Sequence, residues 1–433
     1  MPWVPERSTI NQTLQFGLEA TPGTNVPANK LIQCFQIVLG MMADVAPFEG
    51  TGRKYPTIVI ENSEWVEGTL AGEFDYNGIV YALSGVCGAA TSIVAHGASA
   101  TAKDWTFVPP LTGSVQPQTY TIEQGENNAF GNAIYNHKVN YGLISEFGYK
   151  GDRRTGFNVS GKVLAQALQR AITMTATPTT VALQPTAGKH FNFYLDPTSA
   201  ALGTTQLLKV LNVDYLFSGL YGMFFPLNRA NLGWSAHVDL NPGCIIKLIL
   251  EADATGMTPL TYLQAGTTQF LRVQAQGPII DNLQVVTIAG GATGGTFTLS
   301  YKGQTTALIT YSAALTSATV NTAFQLLSTV STNCTVTGGA GGPYTFTFSG
   351  PLVGDMSPVG ITNVALTGGT PTVASVATAY ATFQHDMAVK VSKPNPFSDN
   401  QGVFAEEWEF TIVEDATWAA AQKFLITTLL TAL

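Results

Sequence analysis

No uninterrupted apolar run of about 18 or more residues occurs, the length a helix needs to cross a bilayer. Gly, Thr, Asn and Gln break every hydrophobic stretch, so the chain reads as soluble although 45% of its 433 residues are apolar. The opening Met1-Pro2-Trp3-Val4-Pro5-Glu6-Arg7 lacks a basic region followed by an apolar one, and no signal peptide is expected. Cysteine is scarce. Cys34, Cys87, Cys244 and Cys334 have no paired spacing, which excludes a zinc ribbon or a disulfide scaffold and predicts reduced, buried thiols. No Lys/Arg run exists and the formal net charge is −8. That removes the basic footprint of a protein that grips phosphates.

Catalytic signatures are missing too. His96, His137, His190, His237 and His385 are dispersed, with no His-x-x-x-His or Glu-x-x-His pair to set two metal ligands on one helical face. His385 and Asp386 are neighbours, but successive strand residues point to opposite faces. The Gly-rich runs at 290–295 and 338–342 lack the Lys-Ser/Thr of a P-loop and read as turns. No Gly-x-Ser-x-Gly elbow appears. Glu406, Glu407 and Glu409 suggest a carboxylate pair, yet Glu407 and Glu409 fall on one face of an alternating strand, the pattern of a solvated acidic row. No catalytic residue, metal or cofactor is expected, and the chain reads as a non-enzyme.

What is present is β-structure. Short segments separated by turn signals follow one another beyond Gly88, indicating a mainly β body. In 407–413 the alternation is clean, with Trp408, Phe410 and Ile412 on one face. One helix is expected over 76–87, capped by Asp75. Residues 1–33 show no periodicity and read as an extended arm that needs a partner surface. Residues 33–42 rise to a strand, 43–56 follow as a long polar loop, and 57–61 and 66–74 read as a hairpin-like pair. The aromatic stretch 215–225 is expected in the core or at a subunit contact.

At Asn282 the composition changes. Lys302 and Asp355 are the charged residues between there and Tyr380, so 282–379 is expected to be an inserted α+β or β-sandwich domain. Its strands would bury Phe297, Leu299 and Tyr301, and Tyr344, Phe346 and Phe348, with Val320, Phe324 and Leu327 on a helix. Residues 34–281 and 380–433 then form the two parts of one body. The insert sits at a hairpin tip, where extra domains are tolerated.

Several segments resemble phage tail tube proteins, especially those of siphophages: Phe16-Gly17-Leu18-Glu19-Ala20-Thr21-Pro22-Gly23-Thr24, then Phe193-Tyr194-Leu195-Asp196 with Ala201-Leu202-Gly203-Thr204-Thr205. Residues 270–278, and 399–404 through Asp415-Ala416-Thr417-Trp418, complete the series. The resemblance spans the chain except the insert. It implies a rolled antiparallel β-sandwich or barrel with a flanking helix, hexameric rings stacked into a tube, and a conduit for DNA ejection. It further implies a tape measure protein inside, tail terminator and distal tail or baseplate proteins at the ends, and a place in the virion after assembly in the host cytoplasm. Double-stranded DNA would transit without specific binding, and no membrane would be involved. By analogy the ring contacts map to 1–33, 43–56 and 416–433, with Trp3, Val4, Phe48, Glu49, Arg53, Lys54 and Tyr55 as candidates. Glu67, Glu73, Glu123, Glu146, Glu407 and Glu409 are candidates for an acidic lumen that repels phosphate. The insert would project outward, as decoration or as a weak glycan-binding module carrying exposed aromatics. The rival reading is a surface adhesin or carbohydrate-binding β-sandwich protein.

Overall fold

The computed structural model describes residues 12–96, 101–126, 136–227, 233–289, 291–353, 357–368, 370–400 and 402–433. The alternating segments form a mainly β fold with a flanking helix. In the main sheet the strands run Phe35–Phe48, Ile58–Glu73, Gly156–Ala165, His137–Asp152, Val210–Ser218, Gly243–Glu251, Val403–Ile412 and Thr370–Pro394, each antiparallel to the next. Gln269–Ala289 pairs with the far side of Thr370–Pro394, and Phe191–Asp196 pairs with it in turn. The inner face packs Leu70, Val163, Tyr149 and Phe410 into one cluster with the helix Gly78–Cys87, all ten residues of which are buried.

The helix Gly78–Cys87 has Asn77 at its N-cap, two residues beyond the Asp75 cap expected, and Asp75 instead braces the turn that leads into it. Asp75 Oδ1 accepts the N–H groups of Asn77 at 3.0 Å and Gly78 at 2.8 Å, and Oδ2 accepts that of Gln184. The first-turn donors are thereby satisfied inside the core. Small residues let the helix lie close to the sheet: a Cβ on Gly85 would stand 2.8 Å from Ile144 Cδ1. A second helix, Thr258–Ala265, has no forerunner in the sequence reading.

Three more expectations are corrected. Residues 13–32 do not form a detached arm, because Thr13–Leu18 pairs with Lys30–Ile32 on one side and with Tyr120–Gly125 on the other, burying Leu14 and Phe16. Residues 43–56 are not one loop: the strand runs on to Phe48, and Ile58–Glu73 is a single strand opposite it. Pro47 and the Gly residues read as breakers, but on an edge strand a missing N–H costs no ladder bond. Within 416–433, Gln422–Thr428 lies between Thr370–Pro394 and Lys103–Phe107, with Phe424 and Ile426 fully buried. Apolar alternation draws it into the body.

Residues 286–359 hold a second hydrophobic cluster, built on Phe297, Leu299, Tyr301, Phe324, Tyr344 and Phe346. Its helix is Ser317–Gln325, and the Thr316 side chain caps it by accepting from Thr319 N. Both long strands cross the compositional boundary without a break, Asp281 pairing with Ala379 and Ala289 with Thr370. A two-residue Asn-Gly turn between Asp281 and Ala379 would therefore close the same ladder. Deleting 282–378 in this way is expected to leave a folded body, checked by a single cooperative melt with unchanged tryptophan fluorescence, since every tryptophan lies outside the deleted stretch.

Candidate functional site: a bare ribbon and a charged sheet face

Four acidic residues, Glu19, Asp196, Asp399 and Asp415, act as staples. Glu19 is buried and accepts four hydrogen bonds, from Gly23 N (2.8 Å), Thr119 Oγ1 (2.8 Å), Thr121 Oγ1 (2.9 Å) and Tyr141 N (3.0 Å). Asp196, fully buried, accepts from Gly203, Thr204 and Thr205 N. Asp399 takes the N–H of Gly402 and Asp415 that of Trp418. In each case a carboxylate fixes a turn through backbone donors, which a neutral apolar residue cannot do.

The second feature is a two-stranded ribbon. Strand Gly156–Ala165 flanks Ile58–Glu73 only from Val66 onward, so residues 58–65 have 42–48 as their partner. Met41, Val45, Phe48, Ile58, Val59 and Ile60 are all exposed, Val59 at 62%. Because three successive residues, 58 to 60, are bare, both faces of the ribbon are apolar and open. At its tip Thr57 N bonds Phe48 O and Arg53 N bonds Gly50 O, with Gly52 at φ +79°. Phe48, Glu49, Arg53, Lys54 and Tyr55 are gathered here and exposed, Tyr55 at 79%. Trp3 and Val4 lie outside the described residues. The sequence reading found the tip but missed the apolar stem.

The outward face of the main sheet carries charge. Cross-strand register places Glu67 and Glu73, Lys162, Glu146 and Lys150, Asp214, Lys247, and Glu407 and Glu409 on one face across six strands. Lys162 lies 2.9 Å from Glu67, Lys150 3.1 Å from Asp214, and Lys247 3.5 Å from Glu409 and 3.9 Å from Glu407. Lys162, and then Trp65 Nε1, hold the Glu67 carboxyl below its usual range. The face is thus a ladder of mixed charge with carboxylates in excess, where the sequence suggested an acidic row alone. Glu123 does not belong to it. It is buried, bonded to Thr175 N at 2.6 Å and Thr175 Oγ1 at 3.2 Å, with Lys138 Nζ at 3.6 Å. Its strand Tyr120–Gly125 is covered on both faces, so alternation gives it no wet side.

His385 and Asp386 point apart. Asp386 forms a two-pronged ion pair with Arg272, Nε to Oδ1 at 2.6 Å and Nη2 to Oδ2 at 3.0 Å. His385 is fully buried: Tyr149 O–H donates to Nδ1 at 3.0 Å, and Nε2–H donates to Gln422 Oε1 at 3.1 Å. Gln422 Oε1 also accepts from Tyr215 O–H at 2.8 Å. That acceptor-only oxygen requires a proton on Nε2, leaving Nδ1 of the neutral ring to accept from Tyr149. Burial pushes the His385 pKa down to about 3, against the raising effect of Gln422. The unfolded chain, with a histidine pKa of about 6.5, takes up the proton first, so this contribution is intact above pH 6.5 and lost as pH falls toward 3. From this group alone, stability should drop by about 2 kcal/mol between pH 6.5 and 5. Urea midpoints across that range check it, and a His385→Gln variant should show a flatter profile. Burial raises the Asp75 and Glu406 carboxyls and gives them the opposite slope.

Among the described residues no group of three or more His, Cys, Asp and Glu converges to hold a metal ion. In the 286–359 cluster, Phe297, Tyr301, Tyr311, Phe324, Tyr344, Phe346 and Phe348 are buried, so the expected exposed aromatics are inside. The stretch 215–225 divides: Tyr215, Phe217 and Tyr221 are buried, while Phe224 and Phe225 are exposed. The chain matches no protein-family model and no curated protein.

Proposed function

We propose that this chain is the structural subunit of a phage-type tail tube, polymerising as stacked rings into a conduit for DNA. The observation that carries the reading is the bare ribbon formed by residues 41–48 and 58–65. A two-stranded hairpin alone is marginally stable in water, and an apolar edge without a partner invites pairing with another chain. A monomer would gain nothing from exposing Met41, Val45, Phe48, Ile58, Val59 and Ile60 together. A polymer covers them.

In this reading the main sheet rolls into a sandwich or barrel, and its charged face lines the channel. Its excess of carboxylates over lysines disfavours phosphate binding, and the interleaved lysines limit the repulsion to a level that lets a duplex pass close by. The segment 282–379 stands outside the channel as an inserted domain. The tape measure, terminator and baseplate partners follow from the same resemblance, as does assembly in the host cytoplasm. Catalysis has no part in this role, consistent with the burial of His385 and its neighbours in the core. Sedimentation of the purified chain over a range of concentrations tests the proposal. A critical concentration above which polymer pellets is expected, and a single monomeric species throughout would refute it.

A further inference from the structure

A cleft of about 240 Å³ lies where the end of strand His137–Asp152 meets the start of Phe191–Asp196 and the segment 206–213. Its floor is closed by Phe157, Phe191 and Phe193, all buried. The rim is polar. Arg153 and Lys189 stand there exposed, with the amide side chains of Asn192 and Asn212 alongside. Gly188 brings the two cations together: a Cβ on it would lie 2.6 Å from Arg153 Cα and 2.6 Å from Asp152 O, so the chain leading into Lys189 touches the backbone of the turn that carries Arg153. On the opposite wall a β-bulge takes Leu211 out of register with Gly243–Glu251.

These cations have no acid to answer them. Among the described residues neither Arg153 nor Lys189 forms an ion pair, and the acids nearest the cleft are engaged elsewhere: Asp214 with Lys150 at 3.1 Å, and Glu251 and Asp253 with Lys209 at 3.0 and 2.9 Å. The Asp152 carboxylate is taken up by its own turn, accepting from Thr155 N at 2.8 Å, Thr155 Oγ1 at 2.9 Å and Arg154 N at 2.6 Å. Burial, and after it the Lys189 charge, lowers the pKa of the adjoining His190. Arg153, Arg154 and Lys189 are thus gathered against a single occupied carboxylate in a chain whose formal net charge is −8. Like charges held together repel, and an anion between them removes the repulsion. We infer that the cleft binds a compact phosphate-type anion between Arg153 and Lys189. A carboxylate places both of its oxygens on one guanidinium fork, whereas a phosphate keeps further oxygens for the lysine ammonium and the amide donors. The volume falls below the roughly 300–1,000 Å³ of drug-sized ligand pockets, and the buried phenylalanines leave no ring face for a base to stack on. A small free anion fits, and a nucleotide does not. All of these residues come from one chain, so the site stands independently of the tube reading.

The test uses the full chain and radiolabelled pyrophosphate. Equilibrium dialysis at constant ionic strength should give one saturable site per chain, and the melting temperature should rise with occupancy. Arg153→Gln combined with Lys189→Gln should weaken binding about 100-fold, roughly tenfold for each charge-assisted hydrogen bond lost. Both side chains are exposed, so the melting temperature without ligand should stay where it is. Lys390→Gln, at an exposed lysine on another strand, should bind like the wild type. Uptake that fails to saturate, that survives the double variant unchanged, or that falls equally in Lys390→Gln overturns the site. Duplex DNA should leave the bound pyrophosphate in place, and competition by it would overturn the assignment to a small free anion.

Discussion

Phe48→Asp combined with Val59→Asp should abolish polymerisation and leave the subunit folded. Both side chains are more than half exposed in the single chain, at 54% and 62%, and exposed substitutions away from special backbone geometry usually change stability by about 0.5 kcal/mol or less. Pro47, cross-strand partner of Val59, and the ribbon ladder are untouched. In a polymer the same positions would be covered, and an unpaired carboxylate taken out of water there costs several kcal/mol. Two such groups per subunit raise the critical concentration by at least about 1,000-fold, since each 1.4 kcal/mol is a factor of ten. The pair of measurements is a thermal melt and a pelleting assay: an unchanged melt with no pellet is expected. A double variant that pellets like the wild type would show that the ribbon is not an assembly surface.

Glu19→Ala should be the most damaging single substitution in the body, lowering stability by about 3–5 kcal/mol. Removing the carboxylate leaves the N–H groups of Gly23 and Tyr141 and two threonine hydroxyls without their acceptor. An unsatisfied buried donor costs about 1–3 kcal/mol, and the methyl of alanine fills little of the vacated space. Tyr141 is at φ 55°, a backbone conformation that needs the support of its surroundings. Glu19→Gln keeps one carbonyl acceptor and should lose clearly less. Denaturant unfolding of both variants ranks them. Equal, small losses would mean that water replaces the staple.

Much of the fold was legible because alternation and turn chemistry are local. Trp408 and Phe410 face the core as their spacing dictates, and Phe297, Leu299 and Tyr301 do so in the second cluster. The helix itself was legible from its apolar 3.6-residue repeat, but its cap falls on Asn77 and not on Asp75, because Asp75 is used to hold the preceding turn and Gln184. What failed was non-local. Whether Glu123 is wet depends on Thr175, which bonds its carboxylate from 52 residues away, and no pattern within 120–125 reveals that. The ribbon escaped notice for the opposite reason: Val45, Phe48 and Ile58 look like weak strand or loop residues, and only the structure shows that among the described residues no third strand flanks them and that they are exposed. Lys150, Lys162 and Lys247 join the charged face through register alone, so the mixed ladder could not be read from any one segment.

The central claim is that a bare, two-faced ribbon exists because other copies cover it in a hollow polymer. Electron microscopy of the sedimented wild-type chain tests this most directly. Unbranched tubes of uniform width, built of regularly spaced rings around an open channel, are expected. Dispersed single subunits or solid, irregular aggregates would contradict it.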